Sequence, residues 1–215
     1  MNIDWNAAIQ ILPLLKDLPA SLREVVGLQH FSAGETLHRR GEHPAAMLCV
    51  LAGELRLVRH GVDGEERVMQ RKRNGFVAEA SMESDAYHCD IVATADGNLL
   101  RIPIPAFRAA LEEAPDFRRA WLQSLAREVR ALRAQSERLR LNSAAERILH
   151  YIETEGSEGA VILLQTRKAW AAELGLSHEA LYRALRRLRE EGVLRDGGTR
   201  IEILRRDARA GYGDA

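Results

Sequence analysis

The sequence has two cysteines in 215 residues, Cys49 and Cys89. Two thiols cannot build a disulfide framework, nor supply the four thiolates of an iron–sulfur cluster. No apolar run approaches the ~18 residues that a membrane-crossing helix needs, so no membrane partner is expected. Met1 to Gln10 carries Asp4 and lacks the basic start of a secretory signal. The expectation is a cytoplasmic chain with reduced thiols. Catalytic signatures are missing as well. There is no metalloprotease motif, phosphate loop or nucleophile elbow, so no enzyme is expected. His30, His38, His43, His60 and His150 show no ligand spacing. Net charge is absent too, with 31 Lys+Arg against 31 Asp+Glu. That balance excludes a uniformly basic nucleic-acid binder, although it leaves local charge open.

What is present is a steep internal asymmetry. Residues 1–117 hold 12 basic and 17 acidic side chains, whereas residues 118–142 hold 7 Arg and 2 Glu. Residues 165–209 hold 11 basic and 7 acidic. An acidic front half and a basic middle and back point to a phosphate-bearing partner for the back.

The texture changes along the chain in step with the charge. Residues 5–26 read as a helical lead-in interrupted by Pro13 and Pro19. From His30 to Pro105, short apolar runs alternate with glycines. Residues 47–51, 55–58, 91–94 and 99–102 read as strands, and Asp63-Gly64 as a hairpin turn. Regularly spaced short strands favour a compact roll or barrel. After Pro115-Asp116 no Gly or Pro occurs until Gly156. Within that stretch Leu122, Leu125, Val129, Leu132, Ser136 and Leu139 recur at alternating steps of three and four, a heptad seam. A narrow seam flanked by arginines favours a two-stranded pairing; the alternative is a helix packed on its own roll. Trp5, Trp121 and Trp170 read as packing residues.

Further on, Thr166 can cap a short helix from Arg167 to Leu174. Gly175 can end that helix, and Ser177 can cap a second one with Leu181, Leu185 and Leu188 on its inner face. Two helices joined by a glycine turn form a helix-turn-helix. Val193-Leu194, Gly197-Gly198 and Ile201 to Ile203 then read as a small β-hairpin wing. The expected fold class is α+β. A β-roll would occupy residues 1–115, a long dimerisation helix 116–142, and a winged helix-turn-helix 143–215.

This order resembles the bacterial cyclic-AMP receptor and fumarate–nitrate regulator (Crp/Fnr) family of transcription factors. The resemblance rests on Gly34-Glu35-Thr36-Leu37, Gly41-Glu42, Leu51-Ala52-Gly53-Glu54-Leu55 and Phe76-Val77-Ala78-Glu79 in the front half. In the back half it rests on Leu174-Gly175-Leu176-Ser177-His178-Glu179 leading into Tyr182-Arg183-Ala184-Leu185. It runs from about Phe31 to Ile203. It implies a homodimer on double-stranded DNA, with RNA polymerase as a further partner.

By this resemblance the second helix of the motif enters the major groove. Glu179 aligns with a base-reading glutamate, and a carboxylate accepts from a cytosine amino group. Arg183 aligns with a reading arginine, whose fork suits guanine. The alternative for these two is a surface ion pair at i,i+4. His178 and Tyr182 share their helix face but depart from the arginine and glycine usual in cyclic-AMP receptors, so the cyclic-AMP-type half-site cannot be assumed. Thr166, Lys168, Ser177 and Arg200 fit phosphate-positioning roles.

The front domain of the family takes a small effector. In cyclic-nucleotide binders a cassette carries a glycine, a glutamate and then an arginine–serine pair. Here Glu79 and Ala80 follow Ala78 in place of the glycine, and His88-Cys89 replaces the arginine–serine pair. The residues aligned with the adenine contacts are Leu132 and Arg133. Losing the arginine removes a charge-assisted phosphate contact of ~1.5–3 kcal/mol, so cyclic AMP is disfavoured. His88, Cys89 and Cys49 remain candidates for a soft metal, haem or redox signal. The effector stays unknown at this point. A buried inert thiol and an effector-free DNA binder are the plainer readings.

Overall fold

A computed structural model describes residues 3–204 apart from Asp63 and Leu164. The chain divides into two compact units, Met1–Ser124 and Leu125–Ala215.

In the first unit, helices α1 (Trp5–Ile11) and α2 (Ala20–Val25) flank a 3-10 turn at Pro13–Asp17. Both prolines therefore interrupt the helical lead-in where their missing N–H groups require. Strands β1 (Gly27–Phe31), β2 (Thr36–His38), β3 (Ala46–His60), β4 (Glu66–Lys72), β5 (Gly75–Val77) and β6 (Asp90–Pro103) follow. They form one antiparallel sheet with β1, β6, β3 and β4 in order, β2 paired to β6 and β5 to β3. The sequence expectation of four separate strands needs correction here. Residues 47–51 and 55–58 belong to one strand, as do 91–94 and 99–102. The β3–β6 register shifts repeatedly between Val50 and Leu55. Such bulges let a long strand bend through a roll without ending. Gly97 is required at that bend: a Cβ there would lie 2.1 Å from the Ala52 carbonyl oxygen and 2.6 Å from the Phe31 ring. The Asp63-Gly64 turn lies partly outside the described residues, since Asp63 is not among them.

Phe31, Leu48, Val50, Leu55, Leu57, Val77, Ile91 and Leu99 fill the inside of the roll. Helix α3 (Ile104–Glu113) follows, and α4 (Pro115–Arg140) begins after it. Phe117 and Trp121 on the first turns of α4 are buried and meet Phe107 and Phe76 edge-on at 4.8–5.3 Å. This aromatic knot is a different face of α4 from the heptad seam. Leu122, Val129, Leu132 and Leu139 stay 46–58% exposed in the single chain. The start of α4 therefore does pack on its own roll, while the seam is left open.

The second unit holds the rest of α4, then α5 (Ala144–Glu155), β7 (Ala160–Ile162), α6 (Arg167–Glu173), α7 (His178–Glu190), β8 (Leu194–Asp196) and β9 (Arg200–Ile203). Ser143 and Glu146 form a reciprocal capping box that starts α5. Trp170, Leu174, Leu181, Leu185 and Leu188 pack with Ile148, Ile152 and Ile201 in one core. The wing has three strands, with β9 between β7 and β8. The sequence reading lacks β7, a run too short to show alternation. No helix among the described residues is long and apolar enough to cross a membrane.

Candidate nucleic-acid interface and effector cassette

The helix-turn-helix is set by two caps and one glycine. Thr166 Oγ accepts from the Ala169 N–H at 3.2 Å, and Ser177 Oγ accepts from the Ala180 N–H at 3.1 Å. Each hydroxyl accepts in its cap and so keeps its own proton for an outside acceptor such as a phosphate. Gly175 adopts φ +64°, the left-handed conformation that reverses the chain between α6 and α7.

Leu181, Leu185 and Leu188 hold α7 to the core by its inner face. The opposite face carries His178, Glu179, Tyr182 and Arg183, all exposed. The His178 and Tyr182 rings meet edge-to-face with centroids 4.7 Å apart. No ion pair among the described residues engages Glu179 or Arg183, whereas the next turns form Arg186–Glu190 and Arg187–Glu191 pairs at 2.8 Å. The i,i+4 ion pair between Glu179 and Arg183, the alternative to base reading, is thus absent, and among the described residues neither group is held by an ion pair. Lys168 is exposed on α6, and Arg200 is exposed at the start of β9.

Three arginines that sequence reasoning missed brace this motif. Arg147 donates to four main-chain carbonyls: Leu139 (3.4 Å), Leu141 (3.0 Å), Leu174 (3.2 Å) and Gly175 (3.1 Å). One fork therefore ties the end of α4 to the turn ahead of α7. A Cβ on Gly175 would lie 2.9 Å from Leu139 Cδ2, so the last seam leucine touches the same turn. Arg138, read from sequence as a solvated flank, is buried. It donates to Glu155 at 2.8 Å and Thr154 at 3.0 Å, and covers the Tyr151 ring at 4.6 Å. Arg167 bonds Asp196 at 2.5 Å and the Gly198 carbonyl at 2.6 Å, fixing the wing turn to α6. Carbonyl acceptors leave no trace in a side-chain pattern; only the Arg–Asp and Arg–Glu partners had a signal to find.

In the first unit the cassette begins at Ala78, which holds φ +59° without being glycine. Glu79 starts a short 3-10 turn (Glu79–Ser81), and Ala80 is exposed. His88 Nδ1 lies 3.0 Å from Ser81 Oγ, and the His88 carbonyl accepts from Arg59 Nε at 2.9 Å. Cys89 is buried in the roll core with Leu48 and Val50. Cys49 lies between those two on β3, so its side chain points to the other face, where it pairs in register with Phe76 and Leu100. The structure does not bring the two thiols together. Burial pushes the Cys49 thiol up to about 12 and the Cys89 thiol above its usual value. Among the described residues no group of three or more His, Cys, Asp or Glu side chains converges on one point. Leu132 and Arg133 are exposed on the part of α4 that belongs to the second unit.

A cyclic nucleotide-binding domain model matches residues 28–114, and a Crp-like helix-turn-helix domain model matches residues 144–208. The chain belongs to the Crp/Fnr family. It is 26% identical over 176 residues to the cyclic AMP receptor protein of Thermus thermophilus, covering 80% of this chain and 82% of that protein. A regulatory protein from Silicibacter pomeroyi is 25% identical over 94% of each chain, with a TM-score of 0.57. DNR from Pseudomonas aeruginosa shares the fold, at 22% identity over 96% of this chain and 97% of that one, with a TM-score of 0.52. The helix-turn-helix of α6 and α7 lies inside the matched Crp-like domain of this Crp/Fnr-type regulator. The β-roll is its cyclic nucleotide-binding-type domain, with His88 and Ser81 joined inside the cassette.

Proposed function

We propose that this protein is a homodimeric, sequence-specific DNA-binding transcription regulator that does not respond to cyclic AMP. One observation carries the DNA reading: α7 is pinned by three buried leucines, and its open face carries Glu179 and Arg183 with no ion pair among the described residues holding them. Arg183 reads a guanine and Glu179 a cytosine amino group, with His178 and Tyr182 beside them. Thr166, Lys168, Ser177 and Arg200 hold the phosphates and set register. The open seam of α4 is the dimer contact. Paired protomers put two α7 helices about one DNA turn apart, ~34 Å, on a near-palindrome. RNA polymerase is the expected partner on the promoter.

The cassette supports the second half of the proposal. The position that would meet a cyclic phosphate with a guanidinium carries His88, whose ring nitrogen is already engaged by Ser81. Two buried thiols with raised pKa values, on opposite faces of the sheet, favour a regulator whose DNA binding is independent of thiol chemistry and soft metals.

Selection of bound duplexes from a random pool, with and without reductant, tests this reading. The expected product is a near-palindrome, unchanged by reductant. Failure to enrich any sequence would refute the DNA reading. A product that changes with reductant would restore Cys89 as a switch. A rise in thermal stability with micromolar cyclic AMP would refute the effector reading.

A further inference from the structure

The exposed aromatic pair on α7 is not needed by the fold. The core holds this helix through Leu181, Leu185 and Leu188, and Tyr182 remains 49% exposed on the other side. Among the described residues the ring partner of this exposed tyrosine is His178. The two residues are one helical turn apart, and their rings meet at 4.7 Å with planes inclined by 68°. Side chains on a helix lean toward its N-terminus, so the Tyr182 ring covers the turn that starts at His178. That is the end of a recognition helix that meets base edges. The edge-to-face contact also restricts the ring before any ligand arrives, which lowers the ordering cost of a contact.

We propose that the His178–Tyr182 pair is a specificity element that reads the C5-methyl group of a thymine; this rests on the DNA reading above. The thymine methyl is the one alkyl group displayed on a base edge in the major groove, beside the donors and acceptors that distinguish the four base pairs. An apolar ring facing the groove gains by covering that methyl. Facing a cytosine amino group or a guanine edge, it would strip water without replacing a hydrogen bond. Glu179 and Arg183 lie on the same face and supply the polar contacts, so the aromatic pair adds a T·A step beside their C·G readout.

Deoxyuridine scanning of the selected operator tests this. Deoxyuridine keeps the O4 acceptor of thymine and loses only the methyl. Affinity is measured for the full chain on duplexes carrying one symmetric T-to-U replacement at a time. The expected result is one thymine per half-site where the symmetric replacement weakens binding about fifteenfold, the effect of two uncovered methyls at about fourfold each. Tyr182→Phe keeps this loss, and Tyr182→Ala abolishes it by binding both duplexes equally. The inference is overturned if no thymine responds, or if the uracil penalty survives in Tyr182→Ala. Either result leaves the Glu179 and Arg183 reading standing. Absence of any enriched duplex would remove that reading and this inference together.

Discussion

Replacing Arg147 by methionine isolates the joint between α4 and the helix-turn-helix. Methionine keeps most of the stem and removes the fork. Two of the four lost bonds, to Leu141 and Leu174, are partly buried. Each contributes about 1–1.5 kcal/mol. The bonds to Gly175 and Leu139 are exposed and exchange for water at little net cost. The guanidinium also sits at the carbonyl ends of α4 and α6, where a cation contributes about 0.3–1 kcal/mol. The loss comes to about 2–4 kcal/mol. At about 4–8 °C per kcal/mol for a domain of this size, the unfolding midpoint of the second unit falls by about 8–32 °C. Scanning calorimetry of the full chain reads that shift. Arg147→Lys keeps the charge without the fork and recovers only about 1 kcal/mol. A midpoint for Arg147→Met within about 3 °C of wild type would refute the bracing role.

Arg183→Ala costs about 1–3 kcal/mol of operator affinity and relaxes one base position, read by repeating the duplex selection with the variant. Val129→Asp, which places a charge in the open seam of α4, converts the particle to a monomer in analytical ultracentrifugation and leaves the roll folded. Ala78→Gly relieves the left-handed strain at φ +59° and raises stability by about 0.5–1 kcal/mol, seen as a higher urea midpoint. Burial raises the Cys49 thiol from 9.0 to about 12, so the folded state holds that proton more tightly than the unfolded chain. Its contribution to stability is complete below pH 9 and is lost as pH rises through 12. Below pH 9, maleimide labels neither cysteine until denaturant is added, as mass spectrometry would show.

The parts of this molecule legible from sequence are those where a local rule decides. Thr166 and Ser177 cap helices because their hydroxyls reach the N–H three residues on, and Gly175 turns the chain because only glycine takes φ +64° without strain. The seam on α4 is legible from its spacing alone. The long strands β3 and β6 are not, because their bulges hide one continuous path behind glycines and polar residues between Val50 and Leu55. Arg138 misled for a related reason. Its position on the helix face is a flank, yet Tyr151, Thr154 and Glu155 from α5 enclose it. Arg147 left no signal because its acceptors are backbone carbonyls. In the cassette, His88 was legible as a departure from the family, while its bond to Ser81 depended on the roll bringing residues 81 and 88 face to face.

Hydroxyl-radical footprinting on the selected operator bears most directly on how this chain meets DNA. Two protected tracts about ten base pairs apart, lying on one side of the duplex and lost together in Val129→Asp, are what paired α7 helices in successive major grooves produce. A single tract with one chain per duplex would contradict that arrangement.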